Sequence, residues 1–241
     1  MNAPQRYLEE LRGELGAYPT WFPTDPVELG LFGRIVNGHL VTAGRLSDLD
    51  IVIEPTEPSP RQTFRKQRGM KLSMSATTSA TLGAFDLGVD VSFEAASAYA
   101  WAFAAAGASK TEIRNIFEVN RLVVEAFKAG VWERDWLLVT GVWRVERLTL
   151  LVARSKQVTA SVHAKGTVVD PLEALLEETA ALKYDSDDFF CVPGAKAATP
   201  LYALQKLQGW LGKDLRGISE GAEATAPALE VADDEPLFVD R

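Results

Sequence analysis

The residues best suited to chemistry lie in LFGRIVNGHLVTAGRLSDLDIVIE and, further on, GVDVSF. Asp48 and Asp50 stand one residue apart on an expected strand, and Asp90 stands on a neighbouring one. Three carboxylates so placed are what a nucleotidyltransferase uses to hold two Mg²⁺ ions against a nucleotide's phosphates. That chemistry also needs a Gly-Ser turn at the phosphate, and here Gly33 is followed by Arg34. The chain from Arg61 to Ala84 is moreover Ser/Thr-rich strand where such a fold carries a helix. A divergent Mg-dependent nucleotidyltransferase is therefore the alternative reading, not the first. His163 sits on the polar face of an alternating segment with no nucleophile elbow anywhere, which marks a solvated sheet residue. Asp185, Asp187 and Asp188 in YDSDDFF form an acidic turn or a cation-holding one. One cysteine, Cys191, and two histidines, His39 and His163, are too few for a Cys/His zinc site, and Cys191 in FFCVPG reads as a small buried hydrophobe. The sequence is expected to be no enzyme, with no metal and no cofactor.

The elements that must position these residues belong to a chain able to bury a core. Of its 241 residues 47% are apolar and 24% charged, and the net charge of −8 argues against nucleic acid as a partner. No apolar run reaches about eighteen residues, and the start, MNAPQRYLEELRGEL, lacks a signal-peptide pattern. Helices are predicted over residues 4–15 and 111–129, the second with a Ser109/Glu112 capping box and Gly130 as its stop. Two more are predicted to open at Asp170-Pro171, with Leu172, Leu175, Leu176 and Leu182 inward, and at Thr199-Pro200, with Leu201, Leu204, Leu207 and Leu211 inward. GRIVNGHLVTAG reads as a hairpin turning at Asn37-Gly38. RQTFRKQRGMK reads as a basic loop carrying Arg61, Arg65, Lys66, Arg68 and Lys71 without an acid among them.

Residues 70–82 alternate strictly, with Met70, Leu72, Met74 and Leu82 on the even, apolar or small side and only Lys, Ser or Thr on the odd. After Gly83-Ala84 the phase flips, and Phe85, Leu87, Val89, Val91 and Phe93 take the odd positions, continued by Tyr99, Trp101 and Phe103. Past the helix, residues around 137–143, 148–153 and 158–164 return to strand patterns. A half-buried antiparallel sheet explains any one such strand. Thirteen alternating residues nonetheless outrun a usual strand of about five or six and exceed the nine to eleven of a membrane strand. The tryptophans (Trp21, Trp101, Trp132, Trp136, Trp143, Trp210) fit core packing first, with a binding groove or membrane-interface anchoring as the other readings. The fold class read from these patterns is α+β: a twisted, mostly antiparallel sheet flanked by helices, with a body at 1–213 and an acidic flexible tail at 214–241. From Ser219 to Arg241, Glu220, Glu223, Glu230, Asp233, Asp234, Glu235 and Asp240 stand against Arg241 alone, and the end is apolar: Leu237, Phe238, Val239.

This order of elements, with DWLLVTGVWRVERLTLLVA and CVPGAKAATPLYALQKL closing it, resembles the bacterial gasdermin-like proteins. The resemblance implies a latent membrane-pore-forming protein of bacterial cell death and antiphage defence. It would be cytoplasmic while inactive and in the inner membrane once a protease removes the C-terminal segment, and there it assembles as a homo-oligomer in membrane lipid. It implies membrane insertion by Met70, Leu72, Met74, Leu82, Phe85, Leu87, Val89, Val91, Phe93, Tyr99, Trp101 and Phe103, and lipid-headgroup binding by Arg61, Arg65, Lys66, Arg68 and Lys71. Autoinhibition falls to Leu237, Phe238 and Val239. The sequence departs from that family in having its cysteine at position 191 and none near the N-terminus, where the family commonly carries a lipidated one. A protein-binding module without catalysis is the remaining reading.

Overall fold

Alternating side chains leave each strand one apolar face to bury, and in the computed structural model the strands do so in two antiparallel sheets. The structure describes residues 12, 17–20, 26–36, 39–81, 84–165, 170–176, 181–184, 189–208 and 228–231. The larger sheet contains β1 (Tyr18–Pro19), β2 (Leu31–Val36), β3 (His39–Arg45), β4 (Gln62–Arg68), β7 (Trp101–Glu112), β8 (Leu137–Ala153), β11 (Phe189–Gln208) and β12 (Ala228–Val231). The smaller contains β5 (Met70–Thr81), β6 (Ala84–Ala95), β9 (Thr159–Lys165) and β10 (Ala181–Tyr184), in the order β10-β9-β6-β5. At the centre of the larger sheet, β8 pairs with β7, β11 and β2.

Both faces of β8 are buried. Leu148, Leu150 and Val152 pack with Trp101 and Phe103 on one side, while Leu151 and Ala153 pack with Ala102 and Ala104 on the other, against the inner face of the smaller sheet. At the far end of β8, the helix α1 (Ile116–Lys128) lays Val119 and Val123 on Phe32, Leu46, Ile51, Trp132 and Leu138. Asn115, just before it, fastens the extended segment 51–54: its Oδ1 accepts from Glu54 N at 2.8 Å and its Nδ2 donates to Val52 O at 3.0 Å. Gly130, at φ 74°, ends the helix in a conformation that a side chain would resist.

The sheets meet along a line of bends. The chain passes from β4 to β5 through Gly69, from β6 to β7 through residues 96–100, and from β8 to β9 through residues 154–158. Each passage has one left-handed residue: Gly69 (φ 67°), Tyr99 (φ 64°) and Gln157 (φ 66°). Backbone hydrogen bonds tie the passages together, from Ala96 N to Gly69 O (2.9 Å), Gln157 N to Ala95 O (2.7 Å) and Ala153 N to Ala100 O (2.8 Å). A β-carbon on Gly69 would meet Ser97 Oγ at 2.7 Å, so glycine is needed there for space as well as for φ.

The mostly antiparallel sheet is as expected, but its flanking helices are not. The helix expected from Thr199-Pro200 is absent: Leu201, Leu204 and Leu207 lie on β11, a strand of twenty residues. At Asp170-Pro171 there are turns and a 3₁₀ segment, Ala174–Leu176, and Leu182 lies on β10. The predicted helix 111–129 begins only at Ile116, because β7 continues to Glu112 and absorbs the supposed capping box. Phe117, in its first turn, is 88% exposed. Residues 137–143 and 148–153, read as separate strands, are the single strand β8. The basic loop is mostly β4, paired antiparallel with β7. The Asn37-Gly38 hairpin is confirmed by the pairing of Val36 with His39. Almost all of the helix predicted at 4–15 lies outside the described residues.

Candidate functional site

The alternating segments fold back on each other as one hairpin. β5 and β6 pair in unbroken register from Met70↔Ala95 to Thr81↔Ala84, and β6 pairs in turn with β9. Residues opposite one another share a face, so the strands form rows. On the outer face these are Lys71–Glu94–Thr159, Ser73–Ser92–Ser161 and Ser75–Asp90–His163. The inner face joins Met70, Val89, Val91, Phe93 and Ala95 to Ala160, Val162 and Ala164 of β9 in one buried cluster. Cover thins along the edge strand β5: Met70 is buried, Leu72 half-buried, and Met74 is 41% exposed although it is on the apolar face. Phe85 and Leu87 lie on β6 opposite Ala80 and Thr78. Leu82 falls outside the described residues.

Three of the expected inserting residues belong elsewhere. Tyr99 is in the bend between the sheets, and Trp101 and Phe103 lie on β7 in the larger sheet, fully buried against Leu148, Leu150 and Val152. The phase of β6 does run on through them in sequence, but the bend sends them into a different sheet. The structure therefore groups Met70, Leu72, Val89, Val91 and Phe93 on one inner face and separates these three from it.

The five basic residues follow β4 and the start of β5. Arg61 pairs with Glu146, Arg65 reaches Asp170 at 3.0 Å and Glu173 at 3.5 Å, and Lys71 reaches Glu94 at 3.0 Å. Lys66 and Arg68 lie opposite Phe103 and Trp101. Charges on a strand at a sheet's margin discourage pairing with other chains, which accounts for an acid-free run that is not a loop.

The carboxylates of the alternative reading are dispersed. Asp48 lies in a 3₁₀ turn, Leu46–Leu49, where its Oδ2 accepts from Arg45 N at 2.8 Å, and Asp50 ends that turn at φ 56°. Neither is on a strand, as the sequence suggested. Asp90 is in the smaller sheet, its Oδ1 2.7 Å from His163 Nδ1 on the outer face. Among the described residues no three His, Cys, Asp or Glu side chains are grouped as a metal site would need. Gly33, read as the place of a phosphate turn, is inside β2, where Val41 O leaves no room for a β-carbon. Asp185, Asp187 and Asp188 lie outside the described residues. Cys191 is half-buried against the core on β11, and burial pushes its thiol up to about 12.

The C-terminal segment returns to the body. Ala228–Val231 pairs antiparallel with Gln208–Gln205, as β12 on β11. Leu207 in that stretch of β11 is buried in the cluster beneath α1. Leu237, Phe238 and Val239 lie outside the described residues. Trp101 and Trp132 are core residues, the latter forming an aromatic group with Phe32 and Trp136 at ring separations of 4.8 and 5.5 Å. Sequence reasoning missed the Asp90–His163 pair and the anchoring of 170–176 by Arg65, Arg147 and Thr149. Both depend on contacts distant in sequence, and only the Asp-Pro at 170 marked either.

No protein-family model matches the chain, and no curated protein matches it. Among the described residues no helix is long and apolar enough to cross a membrane.

Proposed function

We propose that the chain is a latent pore-forming protein of the gasdermin-like kind, acting in bacterial cell death or antiphage defence. The observation that carries this reading is the β5–β6 hairpin: two strands of twelve residues in unbroken register, each alternating apolar or small residues with polar ones, which are Lys, Ser and Thr on β5 and include Asp90, Ser92 and Glu94 on β6. A strand that crosses a bilayer needs about nine to eleven residues and this same two-faced pattern. In the folded protein Met70, Val89, Val91 and Phe93 of the apolar face lie in the core; in a membrane that face would lie on lipid, with the polar rows turned to water. β9, paired to β6, and β10, paired to β9, are the candidates for a second hairpin, but at seven and four residues they would have to lengthen to cross a bilayer.

Latency has its support in β12, a strand from the acidic C-terminal region that is hydrogen-bonded to the body's sheet. A protease cutting before it would remove that strand along with the apolar end. The partners of this reading are an activating protease, membrane lipid and further copies of the chain, with the protein cytoplasmic until cleaved and in the inner membrane afterwards. The test is dye release from liposomes of anionic lipid, comparing the full chain with a form ending after Lys213. Release by the shortened form at more than about a hundred times the full-length rate is expected, matching a closed state favoured by about 3 kcal/mol. Equal release by the two forms overturns latency, and no release by either overturns the pore.

A further inference from the structure

The segment 170–176 is continuous in the chain with one sheet and fastened to the other. β9 precedes it and β10 follows it, both strands of the smaller sheet. Four polar contacts fasten it to the larger. Arg65 on β4 engages Asp170 (3.0 Å) and Glu173 (3.5 Å). On β8, Arg147 Nη1 donates to Leu176 O at 2.5 Å and Thr149 Oγ1 donates to Leu175 O at 2.6 Å. Between these anchors Leu172, Ala174, Leu175 and Leu176 are buried in the cluster that holds Val91, Phe93 and Val162 of the smaller sheet together with Leu151 and Ala153 of β8.

The chemistry makes this a joint with few but directional attachments. Arg65 Nε is buried without a partner, so the two carboxylates of the segment supply the compensation for its guanidinium. Arg147 and Thr149 satisfy carbonyls at the end of a 3₁₀ turn, which a chain this short cannot satisfy internally. Asp170 serves twice: its Oδ1 accepts from Leu172 N at 2.9 Å and shapes the turn, while its Oδ2 holds Arg65.

We propose that residues 170–176 are a latch between the two sheets. With the four contacts made, β9 and β10 are held down, and through β6 so is the β5–β6 hairpin. With the contacts broken, the whole smaller sheet loses its attachment through this segment. The purpose of the latch rests on the pore reading, since hairpins that enter a membrane must first leave the larger sheet. Its existence is a property of the protein in solution and is tested there.

The experiment is hydrogen–deuterium exchange with mass spectrometry on the full chain in solution. The first variant, Asp170→Asn with Glu173→Gln, removes both charges from partly exposed positions and keeps an acceptor for Leu172 N. The second, Thr149→Val, removes one hydrogen bond and no charge. Both should speed exchange in peptides from β5, β6, β9 and β10 by about tenfold while those from β8 and α1 keep their rates, the signature of a sub-global opening. Arg65→Lys, which keeps the charge, should retain more protection than Arg65→Gln. Exchange that rises equally in both sheets, or in neither, overturns the latch. Sheet-selective exchange together with no dye release by the form ending after Lys213 leaves the latch standing and removes the pore. Dye release with unchanged exchange does the reverse.

Discussion

The two sheets share one cluster of apolar side chains and differ in almost everything else. The larger is buried on both faces around β8 and β11, and β11 pairs with β8 through three shifts of register. The smaller is buried on one face only, its longest pair has no shift, and its margin β5 loses cover at Met74 and Ala76. Irregular pairing and two-sided burial fix a strand in one place, because any slip exposes a face that must stay dry. Regular pairing with one wet face leaves a hairpin able to keep its internal hydrogen bonds while exchanging what its apolar face touches. On the proposed reading the larger sheet is the frame and the smaller the part that leaves it.

The sharpest way to break this comparison is Met74→Arg in the form ending after Lys213. Met74 is already 41% exposed, so the folded protein should lose no more than about 0.5 kcal/mol by urea titration. On lipid the same charge costs about 2–4 kcal/mol per chain near the bilayer centre, and dye release should disappear. Ser73→Asn, on the wet face, should leave release nearly intact. A Met74→Arg form that folds and leaks like its parent would return the smaller sheet to an ordinary role. Next in size, Phe103→Ala should cost about 3–5 kcal/mol in urea unfolding, since its ring is fully buried in the frame. A loss below that of Leu72→Ala would reverse the ranking of the sheets.

A smaller effect is expected where the sheets are joined. Thr149→Val should lower the free energy of opening the smaller sheet by about 1–2 kcal/mol, read from hydrogen exchange in β9 and β10, because Leu175 O loses its buried donor. The titration of Cys191 acts only in alkali and not near neutral pH. Burial raises its thiol from an ordinary 9.0 to about 12, so the folded protein keeps a proton that the unfolded chain releases. Stability from this group is complete below pH 9 and declines as the pH rises above it toward 12, read as a falling urea midpoint that Cys191→Ala does not show. Alkylation of the thiol at pH 8 should likewise be slow until urea unfolds the chain.

The smaller sheet was the part most legible in the sequence, and for a physical reason. One dry face and one wet face write period two directly into residues 70–95, and Gly83-Ala84 marks the reversal. The larger sheet resists such reading because both of its faces are dry. Leu201, Leu204 and Leu207 fall at helical spacing, yet all three are buried on β11, with Leu204 in the cluster over Tyr18 and Leu207 in the one beneath α1. With core on both sides, apolar spacing along a strand is free to imitate a helix. β8 was divided in two by Arg144, Glu146 and Arg147, polar residues within a strand whose Val145 still faces inward. Of the candidate surface, the inner and outer rows followed from alternation alone, whereas the departure of Trp101 and Phe103 depended on a bend at Tyr99. A tyrosine at positive φ leaves no mark in the sequence.

That line of bends has a mechanical consequence. Tyr99 and Gln157 are held left-handed, which costs a residue other than glycine on the order of 1 kcal/mol or more each. The crease is thus kept by the packing around it and against the backbone's own preference. Flattening it would let both residues relax and would run β4 into β5 as one ribbon over residues 62–81, with the opposing passages straightening in parallel. The corner that folds the smaller sheet onto the larger thus stores strain at two residues, and on the proposed reading that strain favours unbending once the contacts beneath it are gone.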